Sequence, residues 1–408
     1  MSNFSAIHVK QLYTGKKGEQ IDNAIVVIDG ETIRAVFNQN ELSALEQYSI
    51  TEVEDLGDKY LVPGLIDSHV HTVLPGDGTA GEDMSHLSKC EIEVIAVNNI
   101  QNALKKGITV LRDCGSHSEV TFALKRSLEN KRILGPDLIV CGAPVTSTGG
   151  HIHYMGGEVS GEDDVRRLVR LQHKEGADFT KIIATGGGTK GVATYCDNLT
   201  LTEIKTAIDE SHRIGIKATA HVLSLDGIKN VIAMGIDSLE HGYFCKRDGS
   251  LEYDQSIAEN IARKNIIVSE TIQVLESTIR FLKAKERTLL EDKQLEVHQK
   301  TQDCLKEMHR LMIRDGVPFI AGSDAGWRHC SFGDLYEGLA MLSDCGMKNE
   351  ELLYIATAKP AEYLGIGDRV GTIQPNRQAD LLLLNSDPME DIRNLNDVFR
   401  VYKRGVMV

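Results

Sequence analysis

Eight short apolar runs, each set apart from the next by a stretch of helical periodicity, follow one another between Tyr60 and Gly326. They read YLVPGLIDSHVH, ITVLRDCG, DLIVCGAP, FTKIIATGG, IKATAHVL, DSLEHGYF, IIVSETIQ and PFIAGSDAG. Intervening segments such as VRRLVRLQHKEGA, LTEIKTAIDESHRIGI and IAENIARKNI end in or near Gly or Asn, residues that tolerate the left-handed backbone of a helix stop. A helix after each strand carries the chain back, so that successive strands run the same way. Eight such units predict an α/β fold, a (β/α)8 barrel over residues 61–365. A doubly wound open sheet is the alternative architecture.

The 408 residues leave room for more than a barrel. NAIVVIDGETIRAV holds two β-branched runs around an Asp29-Gly30 turn, a hairpin signal. The chain's end, from GTIQPNRQADLLLLNSDP to VFRVYKRGVMV, has the same strand-and-turn texture. Residues 1–60 and 366–408 are therefore expected to pair into one composite β-sandwich. A net charge of −14 argues against nucleic acid or an anionic membrane as partner. MSNFSAIHVKQLYTGKK has no apolar core of a secretory signal, and no run approaches the roughly 18 apolar residues of a membrane span. Eight cysteines without a CxxC pairing read as reduced thiols, and the expected location is cytoplasmic. The expected partner is a small-molecule substrate, and a homo-oligomer is compatible with the sequence.

Active sites of such barrels sit at the C-terminal ends of the strands. Read there, the first strand offers His69 and His71, two imidazoles on one face because side chains alternate along a strand. The fourth carries Lys181, the fifth His221, the sixth His241 and the eighth Asp324. Taken singly, the histidines read as ordinary core residues and Asp324 as a turn residue. Lys181 is harder to place, since a lysine inside an apolar strand must be neutral, paired or modified. Together the six point to a divalent metal site, because unprotonated imidazoles and a carboxylate are ligands for such ions.

The motifs PGLIDSHVH, TKIIATGGG, ATAHV, DSLEHG, AGSDAG and GTIQPNRQADLLLLNSDP resemble the amidohydrolase superfamily over nearly the whole chain. STGGH at Ser147 to His151, with the Lys181 strand and EHG, is similar to its imidazolonepropionase-like and Xaa-Pro dipeptidase-like branch. The resemblance implies two divalent metal ions, zinc in kind, and a CO2-derived carbamate on Lys181 bridging them. It places His69, His71 and Asp324 on one metal and His221 and His241 on the other. It further implies a metal-bridging hydroxide, with Asp324 as general base that later protonates the leaving amine.

The resulting expectation is a hydrolase of an amide bond in a dipeptide or an N-acyl amino acid. Deaminase or cyclic-amide hydrolase, lactone or phosphotriester hydrolase, and non-catalytic barrel scaffold are the alternatives. By resemblance His151 contacts substrate or polarises its carbonyl. Arg328, four residues past Asp324, is a candidate partner for a substrate carboxylate. Glu270, closing the seventh strand, is a candidate for a cationic group on the substrate, and Arg112 with Asp113 is expected to form a bracing ion pair. HVLS after the fifth strand and GTKGVATYC after the fourth depart from the branch's pattern and leave the substrate side chain open.

Overall fold

The computed structural model describes residues 4–41, 48, 50 and 53–408; residues 1–3, 42–47, 49, 51 and 52 of the expected terminal domain lie outside the described residues. The alternating N-terminal segment forms β1 (Phe4–Tyr13), antiparallel to β2 (Gln20–Asp29). The predicted turn then leads into β3 (Thr32–Asn38), with Gly30 at φ 56°. β4 (Glu54–Pro63) lies parallel to β1.

Here the structure corrects the expectation of one continuous strand YLVPGLIDSHVH. Tyr60 to Pro63 finish β4, and a separate strand, β5 (Leu65–Val70), begins after Gly64. A Cβ on Gly64 would sit 2.2 Å from Thr109 Oγ1, so only glycine fits where the chain passes from one sheet to the other. Pro63, with no N–H to give a ladder, stands at the last position of β4.

From β5 the alternation runs as read. α1 (Lys89–Lys105) leads to β6 (Ile108–Asp113), and α2 (Ser118–Glu129) to β7 (Asp137–Val140). A two-stranded ribbon, β8 (Thr146–Ser147) and β9 (Glu158–Val159), precedes α3 (Glu162–Glu175) and β10 (Phe179–Ile183). Then come α4 (Leu201–Arg213), β11 (Lys217–Ser224), α5 (Leu225–Ala233), β12 (Ser238–Cys245), α6 (Gln255–Lys264) and β13 (Ile267–Glu270). Two helices, α7 (Gln273–Lys283) and α8 (Leu289–Arg314), separate β13 from β14 (Phe319–Ala321). Helices α9 (Leu335–Asp344), α10 (Asn349–Ile355) and α11 (Ala358–Tyr363) lead to β15 (Leu381–Leu384), β16 (Val398–Lys403) and β17 (Val406–Met407).

β5, β6 and β7 form one parallel sheet and β10 to β14 a second, both in chain order. The sheets are joined at both seams. Val70 bridges Ala325, with Asp324 N donating to His69 O at 2.8 Å, and Val145 bridges Ile182, with Val145 N donating to Lys181 O at 2.8 Å. The seams bring the C-terminal ends of the eight parallel strands to one mouth.

Both chain ends enter a single seven-stranded sheet, ordered β17-β16-β15-β4-β1-β2-β3. Its strands bury both faces: Val26 and Ile28 pack on one side, Ile25 and Val27 on the other. In β15, Leu382 and Leu384 reach into the main core while Leu381 and Leu383 face the small sheet's own core. Buried Lys403 fixes the junction, with Nζ 2.8 Å from Asp380 and 3.1 Å from Asp137, and donating to Thr109 O. All eight cysteines are unpaired, and among the described residues no helix is long and apolar enough to cross a membrane.

Candidate metal centre

His69 and His71 leave the end of β5 on one side, their ring centroids 5.4 Å apart. Across the seam, Asp324 presents Oδ1 3.5 Å from His69 Nε2 and 3.2 Å from His71 Nε2. Ligand atoms of the three lie within 4.8 Å of one another, all buried. Asp324 Oδ1 has no hydrogen-bond partner among the described residues. A buried carboxylate oxygen left bare between two imidazoles is costly unless something positive sits there, so these residues fit a divalent cation.

The second ring nitrogens are held from behind. His71 Nδ1 lies 2.6 Å from Gly115 O, which requires a proton on Nδ1 and turns Nε2 toward Asp324. His69 Nδ1 lies 2.8 Å from Glu240 Oε2, an ion contact off the line of a good hydrogen bond. His241 Nδ1 is 2.7 Å from Thr271 Oγ1, and His221 Nε2 is 3.4 Å from Gly186 O. The rings of His69 and His241 are 5.0 Å apart and those of His221 and His241 4.6 Å, so His221 and His241 continue the cluster. Burial, then the positive charge of Lys181, holds His69 below its usual range; burial and neighbouring imidazoles hold His221 and His241 well below theirs. Neutral imidazoles are the ligand form. Burial would raise the Asp324 carboxyl, but His69, His71 and His241 outweigh it and keep it lowered.

Lys181, 2% exposed, lines the same cavity from the middle of β10. Among the described residues no hydrogen bond or ion pair engages its amine. His151, between β8 and β9, faces His221 at 4.7 Å and Trp327 at 5.5 Å between ring centroids. Burial, then the positive side of His71, lowers it to about 3.

The cavity of about 110 Å³ holds His71, Lys181, His221, His241, Asp324 and His151 together with Ile152, Leu223, Tyr243, Val274 and Trp327. Arg328 stands at its rim, donating to Gly188 O at 2.9 Å beside the Trp327 ring. Glu270 does not line it. Its carboxylate accepts from Ile272 N at 2.9 Å, and its other oxygen faces Gly338 behind the strand. Burial, then nearby Asp67, pushes the Glu270 carboxyl up to about 8.

The expected Arg112–Asp113 pair is not formed. Adjacent strand residues point to opposite faces. Arg112 bonds Glu240 at 2.9 Å over the Phe179 ring, while Asp113 accepts from Thr72 and from Ser116 Oγ at 2.7 Å. Glu240 escaped sequence reasoning, although a carboxylate inside an apolar strand carries the same signal as Lys181. His69, Cys114 and Glu240 also cluster within 4.8 Å. There Arg112 already neutralises Glu240, and burial pushes the Cys114 thiol up to about 12. Left-handed backbone recurs around the mouth: φ is 50° at Ile152, 69° at His241, 56° at Asp324 and 51° at Arg328. Such conformations cost on the order of 1–3 kcal/mol each and persist where surrounding structure enforces them.

Residues 60–408 match the amidohydrolase family. The chain is 25% identical over 429 aligned positions to ochratoxinase of Aspergillus niger, covering 95% of this chain and 83% of that protein. It is 20% identical to imidazolonepropionase of Thermoplasma volcanium, with 97% and 94% covered. Among solved structures it is similar to a Xaa-Pro dipeptidase with methionine in the active site, with TM-score 0.84, 24% identity and 100% of both chains covered.

Proposed function

The chain belongs to the amidohydrolase family, and on that premise we propose that it is a metal-dependent hydrolase of an amide bond in a dipeptide or an N-acyl amino acid. The observation that carries the reading is the bare Asp324 oxygen facing His69 and His71. In this reading the eight parallel strands, from β5 onward, form a (β/α)8 barrel, and the seven-stranded sheet of the two chain ends is the composite terminal domain.

His69, His71 and Asp324 would hold one cation, His221 and His241 a second, and Lys181, as its carbamate, both. The place of the buried Lys181 in the same cavity as His71, His221, His241 and Asp324 supports that assignment, since a carbamate supplies the anion that a cluster of cations needs. When bound, the divalent pair, zinc by resemblance, supplies a Lewis acid that activates water and polarises the scissile carbonyl. The chain's own groups do the rest. Asp324, kept ionised, takes a proton from the attacking water and returns it to the departing amine. Ile152, Leu223, Val274 and Trp327 exclude water and favour a compact apolar side chain. Arg328, anchored through one nitrogen, keeps guanidinium donors for a substrate carboxylate at the rim. The similar Xaa-Pro dipeptidase, solved with methionine in its active site, is in keeping with an apolar amino-acid ligand.

The test is a library of dipeptides and N-acyl amino acids scored for released amine, with metal measured on the same sample. Turnover and close to two equivalents of metal are expected. One equivalent with an unmodified Lys181 would overturn the two-metal assignment. Turnover confined to lactones or phosphotriesters would overturn the amide assignment.

A further inference from the structure

Asp324 stands beyond Ala321, the end of β14 and its last paired position with β13. A Cβ on Gly322 would fall 2.8 Å from His69 Cβ and 2.8 Å from Ser269 Oγ, so the chain passes close against β5 before it reaches Asp324. Past the ladder the buried N–H groups of this segment need other acceptors. Asp324 N uses His69 O at 2.8 Å. Ser323 N donates to Asp67 Oδ1 at 3.0 Å. Ala325 N donates to Ser323 Oγ at 3.0 Å, and that hydroxyl donates to Asp67 Oδ2 at 2.5 Å.

Asp67 precedes His69 by two residues in β5, so its side chain leaves the strand on the same side, one step below the ligand candidates. Asp67 and Ser323 are both buried. Asp67 Oδ1 also accepts from His69 N at 3.2 Å. One side chain therefore holds the backbone on either side of the seam, at His69 and at the neighbour of Asp324. A buried carboxyl is costly unless its oxygens are engaged. Here both are engaged, and by the two segments that carry His69, His71 and Asp324.

We infer that Asp67 is a positioning residue: with Ser323 it clamps β5 to the turn after β14 and so sets the separation of Asp324 from His69 and His71. That these three hold a cation rests on the proposed metal centre; the clamp itself does not. Coordination tolerates little error in ligand spacing, and groups that orient ligands from outside the coordination shell carry much of a site's affinity. The second seam, where Val145 N donates to Lys181 O and Ile183 N to Val145 O, lacks Asp67 and Ser323 and serves as an internal control.

The experiment uses the full chain and has two readouts. In metal-free protein, amide hydrogen exchange at residues 323–325 should speed up by at least about tenfold in Ser323→Ala and in Asp67→Ala, as for a local opening. Val145 and Ile183 at the other seam should keep wild-type protection, which a general loosening of the fold would not spare. Asp67→Asn, which keeps an oxygen for the two N–H groups and a polar atom for Ser323, should stay near wild type. Zinc is then added, with affinity read by chelator competition. It should fall by about 10–100-fold in Ser323→Ala, as on loss of an outer partner of a ligand, and recover in Asp67→Asn. Equal loss of protection at both seams, or wild-type zinc affinity in Ser323→Ala, overturns the inference. If Asp67→Ala does not fold, Ser323→Ala carries the comparison. If the wild type binds no zinc, the metal reading fails and the exchange rates alone decide the clamp.

Discussion

His69 is flanked by two carboxylates, with Nδ1 2.8 Å from Glu240 Oε2 and Nε2 3.5 Å from Asp324 Oδ1. Behind Glu240 stands Arg112 at 2.9 Å, with Thr219 Oγ1 also donating to the carboxylate. The buried series Arg112, Glu240, His69, Asp324 runs from the strand interior to the mouth, with the His69 ring between two carboxylates. It connects the stability of the sheet interior to the basicity of a candidate ligand, so a change at one end should be felt at the other.

Glu240→Gln keeps the shape of that side chain and removes its charge. His69 then loses the partner that orients its ring and raises its basicity, and metal affinity should fall by about 10–100-fold. Arg112 is left buried without a counter-charge, which costs about 3–5 kcal/mol. Chelator competition measures the first effect and denaturant unfolding of the metal-free protein the second. Wild-type affinity in this variant would show that Glu240 serves the fold alone.

Lys181→Ala should lose activity and much of its metal while remaining folded. The apolar neighbours Ile182 and Ile183 keep their buried contacts in the core. Acetate or another short carboxylic acid should restore part of the turnover by standing in for the carbamate. Metal analysis and activity with and without the acid are the readouts, and full activity without it would remove the lysine from the site.

The eight strands and the converging histidines were legible because both are local signals, periodicity and the position of a polar residue at a strand end. The break at Gly64 was not, because it depends on Thr109, a contact across two sheets. The Arg112–Asp113 pairing failed through neglect of strand alternation. Glu240 could have been found by asking what neutralises a carboxylate in SLEHG, and Arg112 is the answer. The pairing of Asp67 with Ser323, 256 positions away, exists only in three dimensions.

Away from the mouth, His309 in α8 is buried against Phe319 with Nε2 unpartnered among the described residues, and burial lowers it to about 4. Its folded value lies below that of an unfolded histidine, roughly 6.5. Between these values the unfolded chain binds the extra proton, so stability falls as pH drops from about 6.5 to about 4. The loss from this one group is roughly 3 kcal/mol across that window. Denaturant unfolding at several pH values should show wild type and His309→Leu diverging, with the variant less sensitive to acid. Parallel curves would assign the acid sensitivity elsewhere.

Asp324 is placed by the seam itself: its N–H donates to His69 O at 2.8 Å, and its backbone sits at φ 56°. Asp324→Asn preserves size and the backbone bond but removes the charge that faces His69 and His71. Loss of a general base alone lowers rate by about 10²–10⁴-fold, and a weakened ligand adds to that. The expected result is a kcat at least about 10²-fold lower with a smaller change in KM, because Ile152, Leu223, Val274 and Trp327 still form the pocket wall. Metal content must be measured on the same preparation. If metal is retained and kcat still falls, the loss belongs to proton transfer; if metal and rate fall together and excess metal restores both, Asp324 acts as a ligand only. A variant that keeps both metal and rate would transfer the proton-accepting role to another group, with His151 the nearest histidine to His221 outside the proposed ligand set.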